Sequence, residues 1–289
     1  MKADGLSRTG TIVAAFGRHY DIALASGGSA TGYPRGKKSI YACGDRVELS
    51  EDGQIVNLTQ RSSLLYRSDA YRQKLIAANA TQLILVVATE PSFSDLLLTR
   101  ALIAAEHESL RTVIVLNKSD LEYALPAARV LLAPFASLGY PIVELSAKND
   151  ITRLLPFLAK QISVLVGQSG MGKSTLTNSI VPEAYAATRE ISSALDSGKH
   201  TTTCTRLYQA ATDAALIDSP GLQEFGLAHL TPAEIVYGFV EFRPYLGQCR
   251  FRDCCHVSEP GCAIKEAVET GHIHPRRLEH FRQLIRPRL

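Results

Sequence analysis

Three short segments follow one another in this chain: Asn117-Lys118-Ser119-Asp120, then Ser146-Ala147-Lys148, then the octet Gly167-Gln168-Ser169-Gly170-Met171-Gly172-Lys173-Ser174. A threonine run, Thr201-Thr202-Thr203, and Asp218-Ser219-Pro220-Gly221 come after them. This order constrains the fold more than any other feature. Glycines spaced as in the octet let backbone N–H groups wrap phosphates where a helix begins. The octet is thus a phosphate loop, and a glycine-rich turn without a ligand is the lesser alternative because a strand precedes it and a helix follows. In P-loop folds of this kind the phosphate loop comes first in the chain. Here the other segments lead, so the domain is expected to be circularly permuted.

Each segment has a chemical role that its residue types can fill. Lys173 would neutralise the outer phosphates, the Ser174 hydroxyl would hold Mg²⁺, and Thr175 continues the same turn. The Asp120 carboxylate can accept from the N1–H and exocyclic amine of guanine, a donor pair that adenine lacks on that edge. The Lys118 stem can lie along the purine, and Asn117 can tie its loop to the phosphate loop. In Ser146-Ala147-Lys148 the Ala147 N–H would meet the guanine oxygen. Alone, each base-reading segment is a weak signal. Together, each at the end of an apolar run, they favour GTP and GDP over adenine nucleotides. Asp218 would reach Mg²⁺ through water, and the Gly221 N–H would sense the γ-phosphate. One of Thr201–Thr203 should complete the Mg²⁺ shell as switch I; Thr202 is the choice. The residue after Gly221 is Leu222, where many GTPases carry a water-orienting Gln, so unaided hydrolysis should be slow. His200 is the nearest substitute, weighed evenly against a solvent-exposed loop histidine.

At 289 residues the chain has room for two or three domains. No apolar run reaches the roughly 18 residues of a membrane helix, and the start lacks the apolar core of a signal peptide. A cytoplasmic protein without a membrane partner is expected. The net charge of +3 is too small to argue for nucleic acid. The stretch from His272 to Leu289, with five arginines and one glutamate, is more telling, although a solvated helix end is the commoner meaning of such a run.

The fold class read from these patterns is multidomain α/β. Residues 1–68 read as a small β-barrel of short strands split by glycine turns, with an oligonucleotide-binding (OB) fold as one such barrel. Arg18, His19, Arg35, Lys37, Lys38 and Arg46 interleave there with Tyr20, Tyr33 and Tyr41. That pairing suits RNA, as evenly as it suits tyrosines in the barrel's own core. Residues 69–228 alternate apolar strands with helical patterns at 95–108 and 127–138, and each nucleotide segment starts where a strand ends. Residues 229–289 are helical. Thr231-Pro232-Ala233-Glu234 opens one helix, and a basic helix is expected over 275–285.

Cys249, Cys254, Cys255 and Cys262 fall within fourteen residues, with His256 among them. Three thiolates and an imidazole make a tetrahedral set for one structural Zn²⁺, stapling a region too small for a core of its own. The spacing leaves Cys254 and Cys255 interchangeable. Cys43 and Cys204 stand apart.

Together these residues resemble the bacterial small-ribosomal-subunit-dependent GTPases, the circularly permuted family called RsgA or YjeQ. The resemblance spans essentially the whole chain. It rests on Asn117 to Asp120, Gly167 to Ser174, Gly198-Lys199-His200 with the threonines after it, Asp218 to Gly221, and the segment from Cys249 to Cys262. It implies an OB-fold, a permuted P-loop GTPase domain and a C-terminal zinc-binding domain. It implies Cys249, Cys254, His256 and Cys262 as zinc ligands, with Cys255 spare, and a catalytic histidine at the place of His200. It further implies GTP hydrolysis stimulated by the 30S subunit, contact with its rRNA, and a role in late maturation of that subunit. A monomer is expected. The rival reading is a GTP-dependent RNA-binding module with negligible hydrolysis; a general P-loop ATPase is a third.

Overall fold

Gln82–Ala88 (β8) is buried along its whole length, as expected of a strand covered on both faces of a parallel sheet. The computed structural model describes residues 8–36, 40–68, 73–182, 184, 205–211, 213–219 and 226–286. Arg111–Asn117 (β9), Ile142–Glu144 (β10) and Ile162–Val166 (β11) run parallel to β8, and Ala214–Asp218 (β13) continues the parallel set beside β11. Thr205–Ala211 (β12) then pairs antiparallel with β13. The order is β10-β9-β8-β11-β13-β12. Because β8, β9, β11 and β13 run parallel, their carboxyl ends share one edge, and the strand order reverses between β8 and β11. A reversal in strand order opens a crevice at such an edge.

The sheet does not stop at β12. Arg8–Ala15 (β1) pairs antiparallel with it, Ala14 opposite Arg206 and Ala15 opposite Thr205. From β1 the chain builds a ring with Tyr20–Leu24 (β2), Ser29–Gly32 (β3), Arg46–Leu49 (β4) and Ile55–Leu58 (β5). β1 pairs both β2 and β4, β2 pairs β3, and β4 pairs β5. A parallel bridge from Tyr33 to Gln54 closes the ring. Its core is separate and small: Ile12, Tyr20, Ile22, Val47, Leu49 and Ile55. Tyr20 is fully buried and meets Tyr41 edge-on at 5.7 Å. Two of the three tyrosines considered for RNA stacking therefore serve the ring's packing, while Tyr33 is 49% exposed.

Leu64–Ser68 (β6) and Gln73–Ala78 (β7) form a hairpin. Leu65, Ile76 and Ala77 are buried in the main core with β8, rather than in the ring. A boundary drawn at 68/69 passes through this hairpin, because the apolar pattern alone does not say which core a hairpin joins.

Three helices accompany the parallel strands: Asp95–His107 (α1), Leu125–Ala136 (α2) and the short Leu155–Leu158 (α3). Lys173–Ile180 (α4) follows the phosphate loop. Beyond the sheet, Pro232–Tyr237 (α5) opens with the expected reciprocal cap. The Thr231 hydroxyl accepts from Glu234 N, and Glu234 accepts from Thr231 N. Ala263–Glu269 (α6) and Pro275–Ile285 (α7) complete the chain's described helices. Phe239 stacks on Phe242 at 4.7 Å, both meet Phe281 edge-on at 5.6–5.7 Å, and all three belong to the same continuous core as the sheet. The C-terminal region thus buries its apolar side chains against α1 and α2. Arg277, 1% exposed, seals that contact through Glu241 at 2.5 Å, Thr99 at 2.7 Å and the faces of Phe135 and Phe239. Among the described residues no helix is long and apolar enough to cross a membrane.

Candidate functional site

The loop between β11 and α4 owes its path to close approaches that only glycine permits. A Cβ on Gly167 would stand 2.1 Å from Val86 O, inside the neighbouring strand. Gly172 has φ +87° and a Cβ there would lie 2.3 Å from Asn117 Nδ2, so both the left-handed backbone and the space demand glycine. α4 then presents its amino end to the same edge, where its unpaired N–H groups and dipole favour an anion. Lys173 Nζ donates to Gly167 O at 2.6 Å and Gln168 O at 2.7 Å, lying across the loop it belongs to. Met171 is buried, whereas Ser169, Gly170 and Ser174 face solvent and Thr175 is half-buried.

Asn117, at the last position of β9 and 2% exposed, fastens three segments. Its Nδ2 donates to Met171 O at 2.9 Å, and its Oδ1 accepts from Ala147 N at 2.9 Å. The first of these bonds links the end of β9 to the loop before α4. The Ala147 N–H, expected to meet the guanine oxygen, is spent here on Asn117. Lys118 adopts φ +59°, a left-handed conformation that costs a non-glycine residue about 1–2 kcal/mol. It directs Nζ to Glu90 O at 2.6 Å. Asp120 and Lys148 are exposed at the rim, and Ser146 is buried.

Asp218 ends β13, and Oδ2 accepts from Thr177 Oγ1 at 3.2 Å. Burial pushes its carboxyl up from the usual range, against the pull of Thr177 and Lys173. Burial likewise pulls the Lys173 ammonium down, with Asp218 opposing. A desolvated pair of opposite charges beside a glycine-lined cradle and a helix start suits a phosphate–metal ligand, whose charges would compensate both groups. Two residues of this site escaped the motif reading. Thr177 is one; the other is Ser179, whose hydroxyl donates to Ala147 O at 2.6 Å and joins α4 to the base-reading loop. Neither lies in a recognised segment, and only their placement on α4 could have revealed them. His200, Thr201–Thr203 and Gly221 lie outside the described residues.

A second constellation lies in the C-terminal region. One donor atom each from Cys249, Cys254, His256 and Cys262 lies within 4.8 Å of all the others. His256 Nδ1 is 3.5 Å from both the Cys249 and Cys262 sulfurs. The Cys255 sulfur turns away towards Asp253 O at 3.6 Å. That resolves the register left open by spacing: Cys254 joins the cluster and Cys255 does not. The turn is held by Glu259, which accepts from the N–H groups of Cys255, Val257 and Ser258 at 2.9–3.0 Å. Those bonds outweigh its partial burial and hold the carboxyl down at about 2. Burial first, and then the neighbouring thiols, push the Cys254 thiol up to about 12. Soft donors packed this closely fit a divalent metal ion, which would favour the thiolates that the cluster alone disfavours.

The chain is similar to known proteins in both sequence and fold. The family model described as RsgA GTPase matches residues 58–228. The small ribosomal subunit biogenesis GTPase RsgA of Burkholderia pseudomallei (strain 1710b) is 55% identical over 285 residues, covering 96% of this chain and 91% of the relative. The crystal structure of YjeQ from Thermotoga maritima superposes with a TM-score of 0.76 at 34% identity, covering 98% of each chain. YloQ, described as a circularly permuted GTPase, shares the fold with a TM-score of 0.70 at 24% identity, covering 99% of this chain and 96% of its own.

Proposed function

The chain belongs to the RsgA GTPase family, and from that premise we propose that it binds the 30S ribosomal subunit and hydrolyses GTP to GDP during late maturation of that subunit, with the subunit stimulating hydrolysis. The observation that carries the chemistry is convergence. Segments far apart in sequence meet at one edge of the sheet, and Asn117 bonds to two of them at once. The relatives' printed name supports the partner.

In this reading Gly167 to Lys173 and Thr175 would cradle the phosphates, and Ser174, Thr202 and, through water, Asp218 would hold Mg²⁺. When bound, that ion neutralises charge developing on the phosphate oxygens. Lys173 supplies a further positive charge at the cradle. Asp120 reads guanine with Lys118 stacked on the base, and Ser146, Ala147 and Lys148 close the far side. With Leu222 in place of a glutamine, His200 orients the attacking water, and Gly221 senses the γ-phosphate. Cys249, Cys254, His256 and Cys262 hold one structural Zn²⁺.

The five-stranded ring supports an OB-fold: β1 pairs β2 and β4, and the end of β3 meets the approach to β5 in parallel. Arg18, His19, Arg35 and Arg46 are exposed on it, a surface suited to rRNA phosphates. A cytoplasmic monomer working on the subunit follows from the same reading.

Hydrolysis at fixed enzyme, alone and with purified 30S or 50S subunits, tests the proposal. Stimulation by 30S alone is expected, abolished in His200→Ala. Tight GDP binding without any stimulation would instead favour a GTP-dependent RNA-binding module.

A further inference from the structure

Thr89 to Ser94, the six residues between β8 and α1, together with Asp95 at the start of α1 carry none of the nucleotide motifs, yet they touch several of the elements that do. The Thr89 hydroxyl donates to Lys118 O at 3.0 Å, and Lys118 Nζ donates to Glu90 O at 2.6 Å. The Pro91 ring stands 3.4 Å from where Gly170 would carry a Cβ. Ser94 N donates to the side-chain Oε1 of Gln168 in the phosphate loop at 2.7 Å.

The other end of the segment faces the C-terminal region. The Ser94 hydroxyl accepts from Leu97 N at 3.3 Å and so caps α1. Asp95, 5% exposed, takes a two-pronged contact from Arg276 of α7: Nη2 reaches Oδ1 at 2.9 Å, and Nε bonds the other oxygen. His280, also on α7, places Nε2 3.4 Å from Asp95 Oδ2 and bonds Thr99 through Nδ1 at 2.9 Å.

We propose that Gln168, Ser94 and Asp95 form a positioning relay, through which the docking of α7 on the start of α1 sets the phosphate loop. Adjacent residues at the first turn of α1 hold one partner on each side. A buried carboxylate deprived of Arg276 must move or admit water, and a displaced first turn carries the Ser94 N–H with it. Gln168 then loses its fixed donor, and the loop it belongs to loses its set geometry. Coupling of this kind is reciprocal, so nucleotide in the cradle steadies α7 by the same factor. The relay rests on guanine-nucleotide binding at the phosphate loop and is independent of any ribosomal partner.

The test is a double-mutant cycle read by fluorescent mant-GDP affinity in the full-length, metal-loaded protein. Arg276 touches no nucleotide motif, yet Arg276→Ala is expected to weaken mant-GDP binding roughly fivefold, the low end of allosteric coupling. In the Gln168→Ala background the same change should cost less than about twofold, since the relay is already cut. Arg276→Lys keeps the charge without the fork and should fall between; it carries the same cycle if Arg276→Ala fails to fold, as judged by melting and metal content. Unchanged affinity in the Arg276 variants, or an equal loss in both backgrounds, would overturn the relay. Wild-type protein that does not bind mant-GDP would overturn the nucleotide reading, and the relay with it.

Discussion

Asn117 and Asp120 are three residues apart and do different work. Asn117 is buried and spends both ends of its amide on neighbouring loops, so it acts on how the site is assembled. Asp120 is exposed at the rim, where a base edge can reach it. Asp120→Asn replaces an ionised acceptor with an amide that matches guanine's two donors poorly. Hydrogen bonds to charged groups contribute roughly 1.5–3 kcal/mol, which predicts a loss of GDP affinity of about 10- to 100-fold. Competition between GDP and ADP reads the result, and an unchanged preference would remove Asp120 from base reading. These residues were legible in sequence because their chemistry is local to a short segment. Ser179 and Thr177 were not, because a hydroxyl on a helix acquires its meaning from whatever strand or loop lies opposite.

At the scale of elements, the contact of α7 with α1 and α2 concentrates buried charge. Glu241 and Arg277 are both almost fully buried. Glu241→Ala would strand the guanidinium in an apolar setting of Phe135 and Phe239, at a cost of about 3–5 kcal/mol. A lower melting temperature and earlier loss of the C-terminal helices are expected. Glu241→Gln, which keeps one hydrogen-bond acceptor, should lose less. The same contact makes stability depend on pH. Burial holds the His280 imidazole below its ordinary value near 6.5, against the pull of Asp95, while Arg277 and Arg276 push in the same direction as burial. The unfolded chain therefore takes up this proton first, and His280 costs stability as pH falls below about 6.5. Asp95 works lower on the scale. Burial raises its carboxyl, but Arg276 and His280 together win and hold it below 3.8, so its contribution is present above that value and lost on further acidification. Comparing wild type with His280→Gln by thermal melts between pH 7.5 and 5.5 isolates the first effect. The advantage of wild type should shrink as pH falls, and a constant difference would refute it. The helices themselves were readable: the cap at Thr231 and the span 275–285 follow from local rules. Their packing partners were not, since a basic amphipathic helix reads the same whether its apolar face meets a core or a partner.

On the scale of the whole molecule, two continuities matter. β1 extends the central sheet into the N-terminal ring through Ala14 and Ala15, and the phenylalanines of the C-terminal region share the sheet's core. The cluster of Cys249, Cys254, His256 and Cys262 therefore sits on a turn whose neighbouring helices have apolar support of their own. Chelation should release about one zinc per chain, and it should loosen the 249–262 turn while leaving mant-GDP binding within about twofold, because the nucleotide edge rests on the sheet's core. Collapse of GDP binding on metal removal would mean that the cluster supports the whole fold. The sequence by itself determined the nucleotide chemistry, the rotated order and the clustering of cysteines around His256, because each depends on residue types at short fixed spacings. Only the tertiary structure decided that β6 and β7 join the main core, that Tyr20 packs inside the ring with Tyr41 against it, that Cys254 rather than Cys255 joins His256, and that Thr89 to Asp95 bridge the phosphate loop to α7. Those outcomes depend on which surfaces meet across tens of residues, and no local pattern of polarity or spacing encodes that.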